Sequence, residues 1–166
     1  MSYDIESLLA VVRSGEREEI WEAAKRLESL ILDLKVSLNR ILWEGASPEA
    51  RSAAAYVLGF ARFADARTNL EQVLSDTNQD QAVRGHAAEA LAYLMSRDSV
   101  QVLLRNLEDS SPGVRYRCMF SLGQIGDPSA IPALERAADH LGEEQYDGHS
   151  LQSEALNAIS SIRGSW

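Results

Sequence analysis

The side chains able to carry acid–base, nucleophilic or metal chemistry are few and widely spaced. His86 and Glu89 stand three residues apart, which on a helix puts an imidazole and a carboxylate on one face, the minimum for a general acid–base pair. No nucleophile or second base has a fixed spacing to them, so the pair reads as ordinary helix surface. Cys118, the only cysteine, lies near Arg115 and Arg117, whose charges would lower a thiol pKa if it were exposed. Beside the apolar Met119 it reads as a buried and inert side chain. The segment Asp139–His149 holds Asp139, Glu143, Glu144 and Asp147 together with His140 and His149, and no Lys or Arg. Carboxylates with imidazoles are ligands for divalent cations. Their spacing matches no metal motif, the EF-hand loop included, so the segment reads as an acidic, solvated loop and as the best charged contact surface of the chain. No Walker-type loop, dinucleotide fingerprint, nucleophile elbow or paired-histidine zinc motif is found. These residues imply no catalytic set, no cofactor and no metal, and the expectation is a protein that is not an enzyme.

Length and charge bound the remaining classes. A chain of 166 residues, 45% hydrophobic and 25% charged, fits one soluble globular domain with a sizeable core. The acidic start, Asp4 and Glu6 within the first six residues, lacks the positive charge of a secretory signal, and no apolar run approaches the length of a membrane span. A lone cysteine permits no internal disulfide and agrees with a reducing compartment, so the expected location is cytoplasmic. With 16 Lys and Arg against 25 Asp and Glu, the formal net charge is −9. Nucleic-acid affinity rests on clustered basic side chains, which this chain lacks, whereas opposite charge steers encounter with a basic protein. The expected partner is therefore a basic protein; nucleic acid and membrane are not expected partners.

One spacing recurs along the chain and must position everything else. Leu27, Leu58, Leu91, Leu122 and Leu156 are separated by 31, 33, 31 and 34 residues. Small or apolar residues stand three positions before each, and Leu30, Ala61, Leu94, Ile125 and Ile159 three positions after, the stripe of an amphipathic first helix. Leu70, Leu103 and Leu134, twelve residues past the three central anchors, begin a second stripe, so each unit is a helical hairpin. Gly126-Asp127-Pro128-Ser129 is a strong stop and restart, while Asp65 and Asp98-Ser99 occupy the same place without Gly or Pro. Pro48 and Pro112 suit the first turns of the following helices.

Arg51, Arg84 and Arg115, each seven residues before an anchor, form a column that stacking would align along one edge. The pattern Val83-Arg84…Ala87-Ala88…Ala90-Leu91, and above all Val114-Arg115…Leu122-Gly123-Gln124-Ile125-Gly126-Asp127-Pro128, resembles the HEAT-like repeat first described in phycobilisome lyases. The resemblance implies an all-α, right-handed α-α superhelix of about four hairpins with terminal capping helices. It also implies that the arginine column is structural, reaching an acid or carbonyl between repeats, with Asp76 and Asp109 available. In this frame residues 47–76, 80–109 and 111–139 are clear repeats, residues 16–44 a degenerate first hairpin broken near Leu32 to Leu34, residues 139–149 the acidic loop, and residues 150–163 a closing helix. One long helix over residues 16–44 is the alternative, since the segment has neither Gly nor Pro. Trp21, Trp43 and Trp166 are expected as packing at the first repeat and as a terminal anchor.

Stacked hairpins line a concave face with their second helices. Here that face presents Arg67, Asn69, Glu71 and Gln72, then Gln101, Arg105 and Glu108, then Glu135, Arg136 and Asp139. Mixed and polar, it suits protein recognition, helped by Glu143, Glu144 and Asp147 of the acidic loop. The function expected from these features is a non-catalytic protein-binding module, such as an acidic immunity protein that neutralises a basic toxin domain, with a bilin lyase-like subunit or an assembly scaffold as the alternative. A DNA-repair glycosylase on such repeats would need a basic concave face, against the net charge.

Overall fold

The computed structural model describes residues 5–14 and 17–164; Trp166 and the side chain of Trp21 lie outside the described set. Two compact units divide the chain at residues 37 and 38. The first holds α1, Ile5–Ser14, with Leu8 buried, and most of α2, Arg17–Glu44. α2 is a single continuous helix of 28 residues, which corrects the broken hairpin expected over residues 16–44. The physical reason lies in the segment itself: residues 16–44 hold no Gly and no Pro, so no helix-breaking residue interrupts the hydrogen-bonded ladder at Leu32 to Leu34. Leu32 and Leu34 are exposed, whereas Leu38 and Leu42 near the end of the helix join the core of the second unit.

The second unit is an α-α repeat solenoid. Its hairpins are α3 (Pro48–Phe60) with α4 (Arg67–Ser75), α5 (Gln81–Tyr93) with α6 (Val100–Arg105), and α7 (Pro112–Ile125) with α8 (Ile131–His140), closed by α9 (Leu151–Gly164). Among the described residues three hairpins are thus present where about four were expected. The starts of α3 and α5 have a local cause. The Ala50 N–H donates to Ser47 Oγ at 3.2 Å and Pro48 opens α3, while the Ala82 N–H donates to Asp80 Oδ1 at 2.7 Å to open α5.

The turns between first and second helices are copies of one another despite unlike sequences. Four residues past each anchor leucine the backbone turns left-handed, at Arg62 (φ 56°), Met95 (φ 52°) and Gly126 (φ 72°). A single 3-10 turn follows, Ala64–Ala66, Arg97–Ser99 and Pro128–Ala130, each ending on a small buried residue: Ala66, Ser99 or Ala130. Only the third repeat uses glycine at the left-handed position. The first two hold a side chain there at a cost of roughly 1–2 kcal/mol per residue.

Leu58, Leu91, Leu122, Leu70, Leu103 and Leu134 are all fully buried, so both stripes form one core. Leu156 is not part of it. At 52% exposure it faces outward, and Leu151, Ala155, Ala158, Ile159 and Ile162 bury instead. Ala155 lies 33 residues after Leu122, the interval that already separates Leu58 from Leu91. First helices approach closely at small residues: a Cβ on Gly59 would stand 2.5 Å from Ala90 Cα, and one on Gly123 2.9 Å from Ala158 Cα.

The segment after α8 is also more ordered than a solvated loop. α8 takes in Asp139 and His140, and the strands β1 (Gln145–Tyr146) and β2 (His149–Ser150) pair antiparallel around Asp147 and Gly148, both at positive φ. Tyr146 lies over Gly113, where a Cβ would meet the ring at 2.7 Å, and packs at 5.8 Å against Tyr116.

Two outcomes test this account. Leu91→Ala, truncating a side chain enclosed by repeats on both sides, should lower the unfolding free energy by roughly 2–5 kcal/mol in urea titration. Met95→Gly should raise it by about 1 kcal/mol, because glycine relieves the left-handed turn at the expense of some chain entropy; a loss of stability instead would show that the Met95 side chain is needed for packing.

Candidate recognition surface

The candidate acid–base residues do not act together. Glu89 accepts from Tyr93 Oη at 3.1 Å and pairs with Arg117 at 3.1 Å, while His86 Nδ1 lies 2.7 Å from the Ala82 carbonyl one turn back. Burial, and then the neighbouring Glu89 carboxylate, push the Tyr93 hydroxyl above its ordinary range. Cys118 is fully enclosed, and burial drives its thiol far above the ordinary value, so no thiolate forms near neutral pH.

The arginine column stitches repeats at their loops. Arg51 donates to the Gly45 carbonyl at 2.8 Å. Arg84, almost wholly buried, clasps the Asp109 carboxylate with both terminal nitrogens, and Asp109 also accepts from the Ser111 N–H at 2.8 Å. Arg115 reaches the Asp109 carbonyl and the Glu144 carboxylate. Asp76 is used differently: its carboxylate accepts from Asn78 in its own turn, which holds the group below the usual carboxylate range.

The residues expected on the second-helix face fall into three groups. Those of α4 are tied within the protein: Arg67 pairs with Glu71 at 3.2 Å, Glu71 accepts from Ser99 Oγ at 2.7 Å, and Asn69 donates to Asn39 at 2.6 Å, leaving Gln72 exposed. Glu135 turns away to Arg163 of α9 at 2.8 Å, and Asp139 stays exposed beside it on α8. The third group does converge. Gln101, Arg105 and Glu108 on one side and Arg136 on the other line an open groove of about 610 Å³ between the second helices of the second and third repeats. Its floor was not anticipated: Leu104, Leu107, Ala133, Ala137 and Leu141 supply apolar surface, and His140 closes one side. The signal lay in the pair Leu103-Leu104, since a step of one residue turns a side chain by about 100° and leaves Leu104 at the edge of the stripe that begins at Leu103.

The acidic segment is likewise divided. Glu144 is held by Arg115, whereas Glu143 and Asp147 remain exposed. On β2 the exposed His149 ring lies 5.8 Å from that of Tyr116, whose hydroxyl shares a hydrogen bond with Glu154. Burial raises the Glu154 carboxyl above its usual range and lifts the Tyr116 hydroxyl above its own ordinary value. Among the described residues no three His, Cys, Asp or Glu side chains gather so as to hold a metal ion, and no helix is long and apolar enough to cross a membrane.

Comparison with known proteins corrects the expected function. Over 148 residues, 78% of this chain and 43% of the relative, the sequence is 36% identical to deoxyhypusine hydroxylase of Emericella nidulans. It is 29% identical over 154 residues to the same enzyme of Gibberella zeae (82% and 45%) and 40% identical over 72 residues to that of Saccharomyces cerevisiae (43% and 22%). The chain spans less than half the length of these curated relatives. The relatives are enzymes, which overturns both the non-catalytic immunity-protein reading and the expectation of a protein without enzymatic character. Those expectations rested on the absence of recognisable catalytic motifs, which is a poor guide when the matching residues lie mostly in a repeat scaffold.

Solved structures agree on the fold. The complex of CpcE and CpcF of phycocyanin lyase from Nostoc superposes with a TM-score of 0.65 at 24% identity, covering 80% of this chain and 54% of that one. A designed armadillo repeat protein in complex with the peptide (KR)4 gives 0.56 at 19% identity, covering 95% and 81%. The model of HEAT repeats matches residues 37–105 and 77–145, well over half of the sequence, and the chain belongs to the HEAT repeat family.

Proposed function

We propose that the chain serves in a cytoplasmic hydroxylase of the deoxyhypusine type, in which its repeats receive the protein substrate. The observation that supports this reading is the 36% identity to deoxyhypusine hydroxylase over 78% of the chain, a stretch longer than the three repeat hairpins. Hydroxylation of a saturated carbon needs an activated oxidant, which proteins draw from a bound metal or organic cofactor. The donor set of the described residues does not fit a metal held by them alone. His86, His140 and His149 sit on α5, α8 and β2, and among the described residues no three His, Cys, Asp or Glu side chains come together around a common point. The oxidising centre in this reading therefore takes ligands from outside these residues, and the repeats contribute binding and orientation.

The substrate protein is basic at the contact. A net charge of −9 favours its approach, and Glu143 and Asp147 offer exposed carboxylates on a hairpin already fixed in place by Arg115. No stripe of clustered Lys and Arg competes for nucleic acid, so the partner is a protein.

The reading is tested by offering a deoxyhypusine-bearing protein, with ferrous iron and air, to the chain alone and to the chain supplemented with cell extract. Binding of that protein in preference to the same protein lacking the modified residue, with gain of one oxygen atom by mass spectrometry in the supplemented reaction, is the expected result. Equal binding of both forms and no gain of oxygen under either condition would sink it. Glu143→Gln with Asp147→Asn should leave the melting temperature unchanged and slow association by about two- to fivefold at low salt, the difference vanishing at high salt as screening takes over.

A further inference from the structure

We infer that the groove between α6 and α8 binds an acidic segment of a partner protein whose carboxylates are flanked by apolar side chains. The inference stands apart from the hydroxylase reading, since it concerns a surface whose charge is opposite to that of the chain as a whole.

Its basis is an imbalance of charge over an incompletely covered apolar floor. Arg67, Arg84, Arg115, Arg117 and Arg163 each meet a carboxylate within the protein. Arg105 and Arg136, which face the groove from opposite helices, form no ion pair with any described residue, although acids outnumber bases by 25 to 16. The single carboxylate of the groove, Glu108, also takes part in no ion pair. Two guanidinium groups against one carboxylate leave the groove cationic. A guanidinium is a planar, always charged fork that matches a carboxylate in two parallel hydrogen bonds, so an acidic side chain is the natural counterpart.

The floor sets the second requirement. Leu104 and Leu141 pack against the core on one side and stay half-exposed on the other. Ala133 and Ala137, one turn apart on α8, keep the space between the helices open. A volume of about 610 Å³ with small residues along one wall accepts leucine-sized side chains. Because the groove is open to solvent, its shape favours a length of peptide over an enclosed small molecule. Apolar side chains would settle on Leu104, Ala137 and Leu141 while carboxylates reach Arg105 and Arg136 on the rims. A segment rich in lysine would instead place like charges together.

The test uses fluorescence anisotropy with a short fluorescein-labelled peptide of alternating leucine and glutamate pairs, and a second peptide with lysine in place of every glutamate. The acidic peptide should bind with a dissociation constant on the order of 10 μM, and the lysine peptide at least about tenfold more weakly. Arg105→Gln with Arg136→Gln, both at exposed positions, should weaken the acidic peptide about tenfold at an unchanged melting temperature. Ala137→Phe, filling the groove, should weaken it independently of salt. Equal binding of the two peptides, full binding by either variant, or no binding of the acidic peptide up to about 1 mM would each overturn the inference. None of these readings involves hydroxylation, so failure here leaves the proposed reaction standing, and failure of that reaction leaves this surface to be judged by its own titration.

Discussion

The close approach of consecutive first helices is the constraint on which the repeat unit depends. Gly59 meets Ala90 and Gly123 meets Ala158 at distances that leave no room for a Cβ, so backbone packs nearly on backbone. The equivalent position of the middle repeat is the buried Ala92. At such an approach the large side chains cannot lie between first helices and are displaced to the junction with the second helices, where Leu58, Leu91 and Leu122 meet Leu70, Leu103 and Leu134. Packing at crystal-like density then fixes each hairpin against the next with little freedom to slide. The left-handed backbone at Arg62 and Met95 follows from the same requirement: the second helix must return at a set angle, and the chain accepts strain at a residue rather than move the helix.

Polar groups near this core serve the junctions. The Arg84–Asp109 pair is almost entirely enclosed, and such a pair costs desolvation that its own attraction only partly offsets. Its value lies in geometry, since Asp109 simultaneously accepts from the Ser111 N–H and lends its carbonyl to Arg115. One aspartate thus joins the end of the second repeat to the start of the third. Arg84 Nε, Arg51 Nε and Ser52 Oγ are buried without a hydrogen-bond partner in the described structure, which marks this edge as tuned for position more than for maximal bonding. Arg115 carries the stitching further by holding Glu144, so the strand pair after α8 is fixed to α7 and its exposed acids are presented from a rigid support.

Function is read from what this scaffold leaves uncovered. Catalytic constellations require convergent groups, and the converging groups found here, Tyr116 with Glu154 and His149 or Glu89 with Tyr93 and Arg117, serve packing between neighbouring elements. The similarity to hydroxylases extends along the repeats, while the chemistry of oxygen insertion asks for donors that these residues do not gather. The proposed recognition role inside an enzyme reconciles the two. The scaffold leaves two surfaces of opposite sign uncovered: the acidic turn at Glu143 and Asp147, and the groove between α6 and α8 with its two arginines against one carboxylate.

The sequence by itself determined the helical hairpins of residues 47–139, because an apolar stripe recurring every 31 to 33 residues admits one stacked arrangement of period 3.6 helices. It also marked the single cysteine as buried and the arginines as a column. It did not determine α2, where the same apolar steps fit a hairpin or a straight helix and only the absence of a stop signal decides. Leu156 shows the limit of a spacing argument, since a shift of one residue around a helix turns a side chain by about 100° and exchanges Leu156 for Ala155 in the core. Pairing between distant side chains was settled by tertiary structure alone. Whether Glu144 faces solvent or Arg115, whether Glu135 lines a groove or reaches Arg163, and whether Arg105 and Arg136 find carboxylates depends on helices brought together across some thirty residues, and a charge on a sequence carries no direction until the backbone beneath it is placed.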